Sequence, residues 1–269
     1  MTCVFDNYFG LIVQYGADTA ACNRVLSYHK NDKTASLGGW PYAGWAYPME
    51  YKLAEHRFAL AAAQREDLKG DFDELLGVIR DISEDDIIDR FEDAFSVNED
   101  KGSVLTKSIS GVINALLDER LRAKGWLGQA PIFGDKRYRE MRWTLDFAKA
   151  TKGKGTFSVE VVFNNAGSLG WNLIKPVLAC EQNHVSKAIE TKVGIVILAT
   201  KDLKSAGGFD NAIATFEEAP LYLSAMQNII SATPIIIIGL CAPKKFKVEH
   251  YVAEYAGGKR KKAGRIVRL

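Results

Sequence analysis

Two apolar segments in the second half of the chain carry the clearest hydrophobic pattern. Residues 192–199 (KVGIVILA) and 234–240 (PIIIIGL) are short, continuous runs rich in β-branched residues. Runs of this length predict strands that are buried on both faces of a sheet. Upstream, residues 142–149 (RWTLDFAK) alternate between polar and apolar, and residues 156–164 (TFSVEVVFN) follow after a turn rich in Lys and Gly. This pattern predicts two further strands, joined as a hairpin.

Helical segments flank these strands in the sequence. The pattern predicts helices over residues 51–65, 72–80, 84–95, 105–124, 171–189 and 221–230. Ser83 and Asp86 have a spacing like that of a capping box at the start of one helix, and Gly125 follows Lys124 where another helix should end. Helices and strands in this order predict an α/β fold in which a mixed central sheet is flanked by helices.

Composition divides the chain into three parts. Residues 1–70 form an N-terminal extension that is rich in Gly and aromatic residues, as in GGWPYAGWAYP at 38–48, and that becomes helical toward its end. Residues 71–243 form the core, and residues 244–269 form a basic C-terminal tail. The aromatic segment is predicted to be irregular and rich in turns. Its rings either pack onto the core or stack on nucleic-acid bases.

Charge is distributed unevenly along the chain, although the formal net charge is only +2. Residues 244–269 contain nine Lys or Arg and two Glu, so this segment carries 9 − 2 = +7. Its GGKRKKAGR run suits a phosphate backbone, whose condensed counterions Lys and Arg displace. The alternative is a solvated tail that aids solubility. Residues 71–100 carry 2 − 12 = −10, which is typical of a solvent-facing helix surface.

The absence of some sequence patterns disfavours several classes of protein. No apolar run approaches the roughly 18 residues of a membrane helix, and the start, MTCVFDNYFG, lacks the basic region of a secretory signal. The four cysteines lie far apart, which predicts reduced thiols and a cytoplasmic protein rather than a disulfide framework. The scattered histidines form no zinc-hydrolase motif, and neither a GxSxG nor a GxxxxGK(S/T) motif is present.

Two carboxylates on adjacent predicted strands are the most informative candidates for chemistry. Asp146 lies in RWTLDFAK and Glu160 in FSVEVVF, so a hairpin would bring them together as hard oxygen ligands for a divalent cation. Strand alternation places Glu160, Val162 and Asn164 on one face. A carboxylate among such apolar neighbours is costly to bury unless a metal or a hydrogen-bond donor compensates it. The alternative is that both acids lie at exposed strand ends, paired with lysines.

The order of these elements and motifs resembles that of a known nuclease fold. The run LDFAK…FSVEVVFNN…WNLIKPVLACEQNHV…KVGIVILAT…PIIIIGL, with the preceding helix at 108–126, resembles the catalytic core of PD-(D/E)xK nucleases. More narrowly, it is similar to type II restriction endonucleases of the BglII and BamHI group over about residues 72–243. The resemblance implies a restriction-endonuclease-like core that hydrolyses double-stranded DNA with Mg2+. It also implies a homodimer that cuts both strands of a palindromic site.

The resemblance assigns roles to four residues. Asp146 and Glu160 correspond to the metal-binding carboxylates, and the backbone carbonyl of Val161 would be a further ligand. Glu119, at the edge of the apolar stripe of its helix, matches the extra acid found in some members. An exposed helical Glu followed by Arg120 and Arg122 is the ordinary alternative for that position.

The sequence departs from the group at one catalytic position. The third residue of the motif is usually Lys, or Gln or Glu in this group, whereas here it is Val162. Valine can neither orient a water molecule nor stabilise charge. Three outcomes remain open: a lysine from the cluster of Lys149, Lys152 and Lys154 reaches in, Asn164 replaces the missing group, or the protein cuts slowly or not at all.

Several basic residues are candidates for contacts with DNA. They are Lys149, Lys152, Lys154, Lys175, His184, Lys259, Arg260, Lys261 and Lys262. The predicted helix after the hairpin also carries Asn172, Glu181 and Asn183 near the candidate site, and surface positions are the ordinary interpretation for each. Two other functions fit the same residues. One is a structure-specific or repair nuclease of the same fold, and the other is a catalytically impaired DNA-binding protein, which Val162 would explain.

Overall fold

The computed structural model describes residues 13–16, 47–100, 106–151, 154–181, 184–230, 232–254 and 260–269. The strands are β1 Val13–Gly16, β2 Tyr51–His56, β3 Leu127–Pro131, β4 Thr144–Thr151, β5 Lys154–Val162, β6 Val193–Ala199, β7 Ile235–Leu240, β8 Phe246–Glu254 and β9 Arg260–Arg268. The helices are α1 Ala59–Ala63, α2 Glu66–Asp81, α3 Glu84–Asp100, α4 Ser110–Ala123, α5 Lys136–Glu140, α6 Leu169–Cys180, α7 Lys201–Ala206 and α8 Ala219–Ala225.

In the described part of the chain, seven strands form one mixed sheet in the order β1-β2-β7-β6-β5-β4-β3. Strands β5, β6 and β7 pair in parallel, and the remaining pairs of this sheet are antiparallel. Every residue of β6 and β7 is buried, as their continuous apolar sequences predict. The β4–β5 hairpin is also confirmed, with Phe147 opposite Val159. The sheet is therefore mixed, as predicted.

Helices cover both faces of the sheet, and strand alternation divides the core between them. Helices α2, α3 and α4 pack on the face that carries Val159 and Ile195. Helices α6 and α8 pack on the face that carries Val162 and Val196. The α/β class with helices on both sides of the sheet is thus confirmed.

Two of the predicted helix boundaries have the expected local chemistry. At the start of α3, the Ser83 backbone N–H donates to Asp86 Oδ2 at 2.8 Å, and the Asp86 N–H donates to Ser83 Oγ at 3.0 Å. These reciprocal bonds form the capping box. After α4, Gly125 adopts a φ of 78°, a left-handed conformation that glycine tolerates without strain.

The predicted helix over 51–65 is wrong. Residues 51–56 form β2, which pairs with β7 inside the sheet, and only Ala59–Ala63 is helical. The local composition favours a helix, but pairing with the apolar β7 overrides that weak preference. The division of the chain at residue 70 stays a prediction, although β2 already belongs to the sheet. The predicted helix over 171–189 ends at Cys180, well before its predicted end.

The basic segment 244–269 is a hairpin rather than a tail. Strands β8 and β9 pair from Phe246–Arg268 to Glu254–Arg260. The prediction failed because the charge of this segment obscured its apolar positions, of which Phe246 is fully buried. The buried carboxylate of Glu84 accepts hydrogen bonds from the N–H groups of Lys244 and Lys245 at 2.7 and 2.8 Å. These bonds attach the start of the hairpin to α3.

The aromatic segment at 38–48 lies mostly outside the described residues. At its end, the Tyr47 ring lies 4.8 Å from Lys245 Nζ, next to the hairpin. None of the helices in the described part of the chain has the length and apolar character needed to cross a membrane.

Candidate active site

Asp146 lies on β4 and Glu160 on β5, the two strands of one hairpin. Phe147 pairs with Val159, so Asp146 and Glu160 are the next residues of their strands beyond this pair. Asp146 Oδ2 accepts a hydrogen bond from the Val161 backbone N–H at 2.8 Å, which fixes its position beside β5. The structure thus brings together the two carboxylates that the sequence analysis singled out.

Glu160 is a buried carboxylate with an incomplete set of partners. Its side chain is 1% exposed, and Oε1 has no hydrogen-bond partner among the residues that the structure describes. Oε2 forms an ion pair with Nζ of Lys175. Burial and, after it, the negative charge of Asp146 raise the pKa of Glu160, Lys175 acts in the opposite direction, and the resulting pKa is about 8. A carboxylate in this position requires a cation nearby if it is to be ionised at neutral pH.

Lys175 reaches the site from α6, on the same side of the sheet as Glu160. Its side chain is only 12% exposed. Besides Glu160, its Nζ donates to the backbone carbonyl of Thr144 at 3.3 Å, two residues before Asp146. Lys175 was predicted from the sequence as a candidate contact with DNA, whereas its ion pair with Glu160 was not predicted. Helical spacing alone gives no signal for a contact between α6 and a particular strand residue.

Gln129, on β3, is a site residue that the sequence analysis missed. Its Nε2 donates to Asp146 Oδ1 at 3.3 Å, and its Oε1 accepts from Thr144 Oγ1 at 3.2 Å. Its φ is 50°, a conformation that is uncommon for a residue other than glycine. Such outliers cluster at functional sites. The sequence of β3, LGQAP, has no alternating pattern that would have predicted the strand.

Val162, at the variant motif position, and Asn164, two residues later, both have contacts other than the two carboxylates. Val162 is fully buried and packs in the apolar layer under α6 with Leu169 and Leu173. Asn164 lies just beyond β5, and its Oδ1 accepts from Ser168 Oγ at 2.7 Å and from Asn172 Nδ2 at 3.4 Å. Asn164 therefore connects the end of β5 to the start of α6.

The structure does not bring the described lysines of the hairpin turn to Glu160. Lys149 points to the other face of the sheet, where its Nζ donates to Glu74 at 2.8 Å and to the Lys124 carbonyl at 2.7 Å. Lys154 is exposed at the start of β5, six residues and thus about 20 Å from Glu160. Lys152 lies outside the described residues.

The sheet lies between Glu119 and the carboxylates of Asp146 and Glu160. It lies on α4, and its Oε2 accepts from Arg90 of α3 at 2.6 Å. Helices α3 and α4 cover the face opposite to α6. The surface alternative for Glu119 matches this position better than the role of an extra catalytic acid.

The remaining candidates for DNA contacts are spread over the surface. Helix α6 ends at Cys180, earlier than predicted, so His184 lies in the loop beyond it and is exposed. Lys262 lies on β9 and is exposed. Arg260 and Lys261 also belong to β9. Lys259 and Asn183 lie outside the described residues. Glu181 Oε1 accepts from Thr233 Oγ1 at 3.2 Å. Thr233 lies just before the start of β7, at the opposite end of the strand from its last residue.

The donor set fits a divalent cation that prefers oxygen ligands. No group of three or more His, Cys, Asp or Glu side chains that could hold a metal occurs among the residues that the structure describes. Asp146 and Glu160 alone would provide two carboxylates, and the unpartnered Glu160 Oε1 is a buried acceptor for which a cation would compensate. Mg2+ is commonly held by one or two carboxylates and completes its shell with water and phosphate oxygens.

Comparison with known proteins gives the family of the chain. Residues 51–240, more than half of the sequence, match the family Restriction endonuclease BglII/BglIII. A crystal structure of restriction endonuclease BglII complexed with a DNA 16-mer is similar to this chain, with a TM-score of 0.49 and 16% identity over 82% of this chain and 100% of that chain. No curated protein matches. The resemblance inferred from the sequence is confirmed, and the chain belongs to the BglII/BglIII family of restriction endonucleases, which are type II site-specific deoxyribonucleases.

Proposed function

We propose that Asp146 and Glu160, with the carbonyl of Val161, hold Mg2+ and that the chain uses this site to hydrolyse phosphodiester bonds in double-stranded DNA. One observation carries the proposal. A nearly fully buried carboxylate, Glu160, lies beside a second carboxylate, and one of its oxygens has no partner within the described part of the chain. An arrangement of like charges this costly is typical of metal and catalytic sites.

The residues around the two carboxylates position them. The Val161 N–H and Gln129 hold the two oxygens of Asp146, and Lys175 holds Oε2 of Glu160. Glu160 Oε1 is thereby left for the cation. Magnesium, when bound, acts as a Lewis acid on the scissile phosphate and lowers the pKa of a bound water molecule.

The hairpin of β8 and β9 is the candidate surface for DNA. It follows β7, so it starts at the edge of the sheet where the parallel strands end and where Glu160 lies. Its His250 Nε2 lies 3.0 Å from the Gly208 carbonyl, and the neighbouring Phe209 ring lies 5.3 Å from the ring of Phe163, at the end of β5. A basic two-stranded ribbon has dimensions that fit the major groove.

The finer details of the activity are also proposals. We propose that the enzyme recognises one short sequence and works as a homodimer, since two-fold symmetry of the protein matches a palindromic target. The scattered cysteines, which predict reduced thiols, favour the cytoplasm. Sedimentation of the purified protein with and without DNA measures the number of subunits. A monomer on cleaved DNA would contradict the dimer.

The band pattern of a digest tests this function against its nearest alternative. Purified protein is incubated in Mg2+ with unmethylated phage DNA and, separately, with branched junctions. Discrete bands from the phage DNA are expected. A smear, or cutting confined to junctions, would instead identify a structure-specific or repair nuclease of the same fold.

One observation favours a second candidate function, that of a DNA-binding protein without catalysis. The buried Val162 supplies no polar group at the third motif position. Such a protein would bind duplex DNA equally well in Mg2+ and EDTA and would cut neither substrate. A gel-shift measurement beside the digest distinguishes the two functions.

A further inference from the structure

The site lacks a polar side chain where the motif places its third residue. Val162 is fully buried among apolar side chains of α6 and α8, so this position of β5 contributes packing alone. Neither Lys149 nor Lys154 approaches Glu160, since one points to the opposite face and the other lies at the far end of the strand. Any polar group in this role has to come from another element.

Lys175 is the side chain that α6 directs to this place. Its Nζ contacts Glu160 Oε2 and the Thr144 carbonyl, so it lies between the two strands that carry the carboxylates. The neighbouring Asn172 and Pro176 are buried, which shows that this side of α6 faces the sheet. The side chain of Lys175 is only 12% exposed, so contacts with the protein rather than with solvent determine its position.

We propose that Lys175 fills, from α6, the role that Val162 cannot perform. Lys175 is a positioning residue: its ammonium group fixes one oxygen of Glu160 and leaves the other free for the cation. Its positive charge also offsets the negative charge of a phosphate that approaches the two carboxylates. The electrostatic effect of a charge fixed in a site with little water is stronger than that of a solvated charge. This inference rests on the proposed function of the same site.

A purely structural role is the main alternative. In that case Lys175 would only neutralise a buried Glu160 so that the chain folds, and its loss would reduce stability and metal binding together with activity. The two roles predict different results when folding, metal binding, DNA binding and cleavage are measured on the same variants.

The test compares Lys175→Met and Lys175→Arg with Lys187→Met as a matched control. Methionine keeps much of the length of the lysine side chain and removes its charge. Lys187 is also half-buried and contacts the other end of α6, where its Nζ donates to the carbonyls of Leu178 and Glu181. The measurements are thermal unfolding, Mn2+ binding by calorimetry, binding of a labelled duplex in Ca2+, and the single-turnover rate of DNA cleavage in Mg2+.

For Lys175→Met we expect the cleavage rate to fall by about 100-fold or more, whereas Mn2+ affinity stays within about tenfold and duplex affinity within about threefold. Lys175→Arg should cleave at least about tenfold faster than Lys175→Met because it restores the charge. Lys187→Met should cleave like the wild type, even if its unfolding temperature is lower.

Three results would overturn the inference. Cleavage by Lys175→Met at a rate close to that of the wild type would show that the lysine is dispensable. Joint loss of folding, Mn2+ binding and cleavage in both Lys175 variants would assign it a structural role. A wild-type chain that does not cleave in Mg2+ would instead overturn the proposed function, and the role of Lys175 with it.

Discussion

A single buried carboxylate accounts for most of the chemistry expected of this chain. Glu160 is 1% exposed, lies beside Asp146 and forms an ion pair with Lys175. Removing a charge from water costs several kcal/mol unless partners compensate it. Ionisation of Glu160 is therefore costly at this position, and a bound cation would offset that cost.

The pH dependence of stability tests this interpretation of Glu160. Its pKa is raised from 4.5 to about 8 in the folded chain, so the folded state binds a proton that the unfolded state has released. Stability should therefore be highest near or below pH 4.5 as far as this group is concerned, and should fall as pH rises toward 8. In EDTA, the unfolding temperature of the wild type should decrease over this range relative to that of Glu160→Gln.

The Glu160→Gln variant serves as the reference because an amide does not titrate. Differential scanning fluorimetry of both proteins between pH 5 and 9, a range set by the reference pKa values, gives the comparison. Parallel curves for the two proteins would show that Glu160 is not a buried group with a raised pKa.

Some of the site could be predicted from single residues, and some could not. Alternation along β5 indicates that Glu160 and Val162 share a face, and the hairpin indicates that Asp146 is close. Lys175 and Gln129 were not predicted as partners of these carboxylates because they come from other elements. Their contacts depend on how α6 and β3 pack against the hairpin, and no local pattern encodes that arrangement.

Among the elements, α3 offers a direct test of a feature predicted from sequence. Ser83 and Asp86 form reciprocal bonds at the start of this helix. Ser83→Ala removes the acceptor for the Asp86 N–H, and the loss of such a cap typically costs about 1 kcal/mol. Chemical denaturation should show this loss with an unchanged m-value. A Ser83→Ala protein as stable as the wild type would mean that the capping box contributes nothing.

The β8–β9 hairpin carries the prediction about DNA affinity. Its exposed basic side chains include Lys262, Arg265 and Arg268. If they contact phosphates, changing all three to Ala should weaken binding equally on every duplex sequence and should reduce the slope of log K against log salt by about 0.9 per lost contact. Fluorescence anisotropy over a series of salt concentrations measures this slope.

Lys192→Ala is the control for this prediction. Lys192 is exposed just before β6, at the edge of the sheet away from the hairpin, and pairs with Asp67 at 2.6 Å. It should leave the slope unchanged. An unchanged slope in the triple variant as well would exclude the hairpin from the DNA interface.

Only those parts of the fold in which burial alone determines the secondary structure could be predicted from the sequence. The continuous apolar runs of β6 and β7 predict central strands because they are buried on both faces. Strand β2 was mistaken for a helix because its residues also suit a helix, and only pairing with β7 decides between the two. The basic hairpin was missed because its charges suggested a solvated segment, whereas Phe246 and Val248 pack against the core.

We propose that Asp146 and Glu160 together make this chain a metal-dependent DNA endonuclease. The most direct measurement is cleavage of unmethylated phage DNA in Mg2+ and in EDTA by the wild type, Asp146→Asn and Glu160→Gln, with Glu119→Gln as a control on the other side of the sheet. Binding of duplex DNA in Ca2+ checks that each variant is folded. We expect cuts by the wild type and Glu119→Gln in Mg2+ alone, and rates lower by about 100-fold or more in the two site variants. Cleavage in EDTA, or cleavage by either site variant at the wild-type rate, would contradict a metal-dependent site at Asp146 and Glu160.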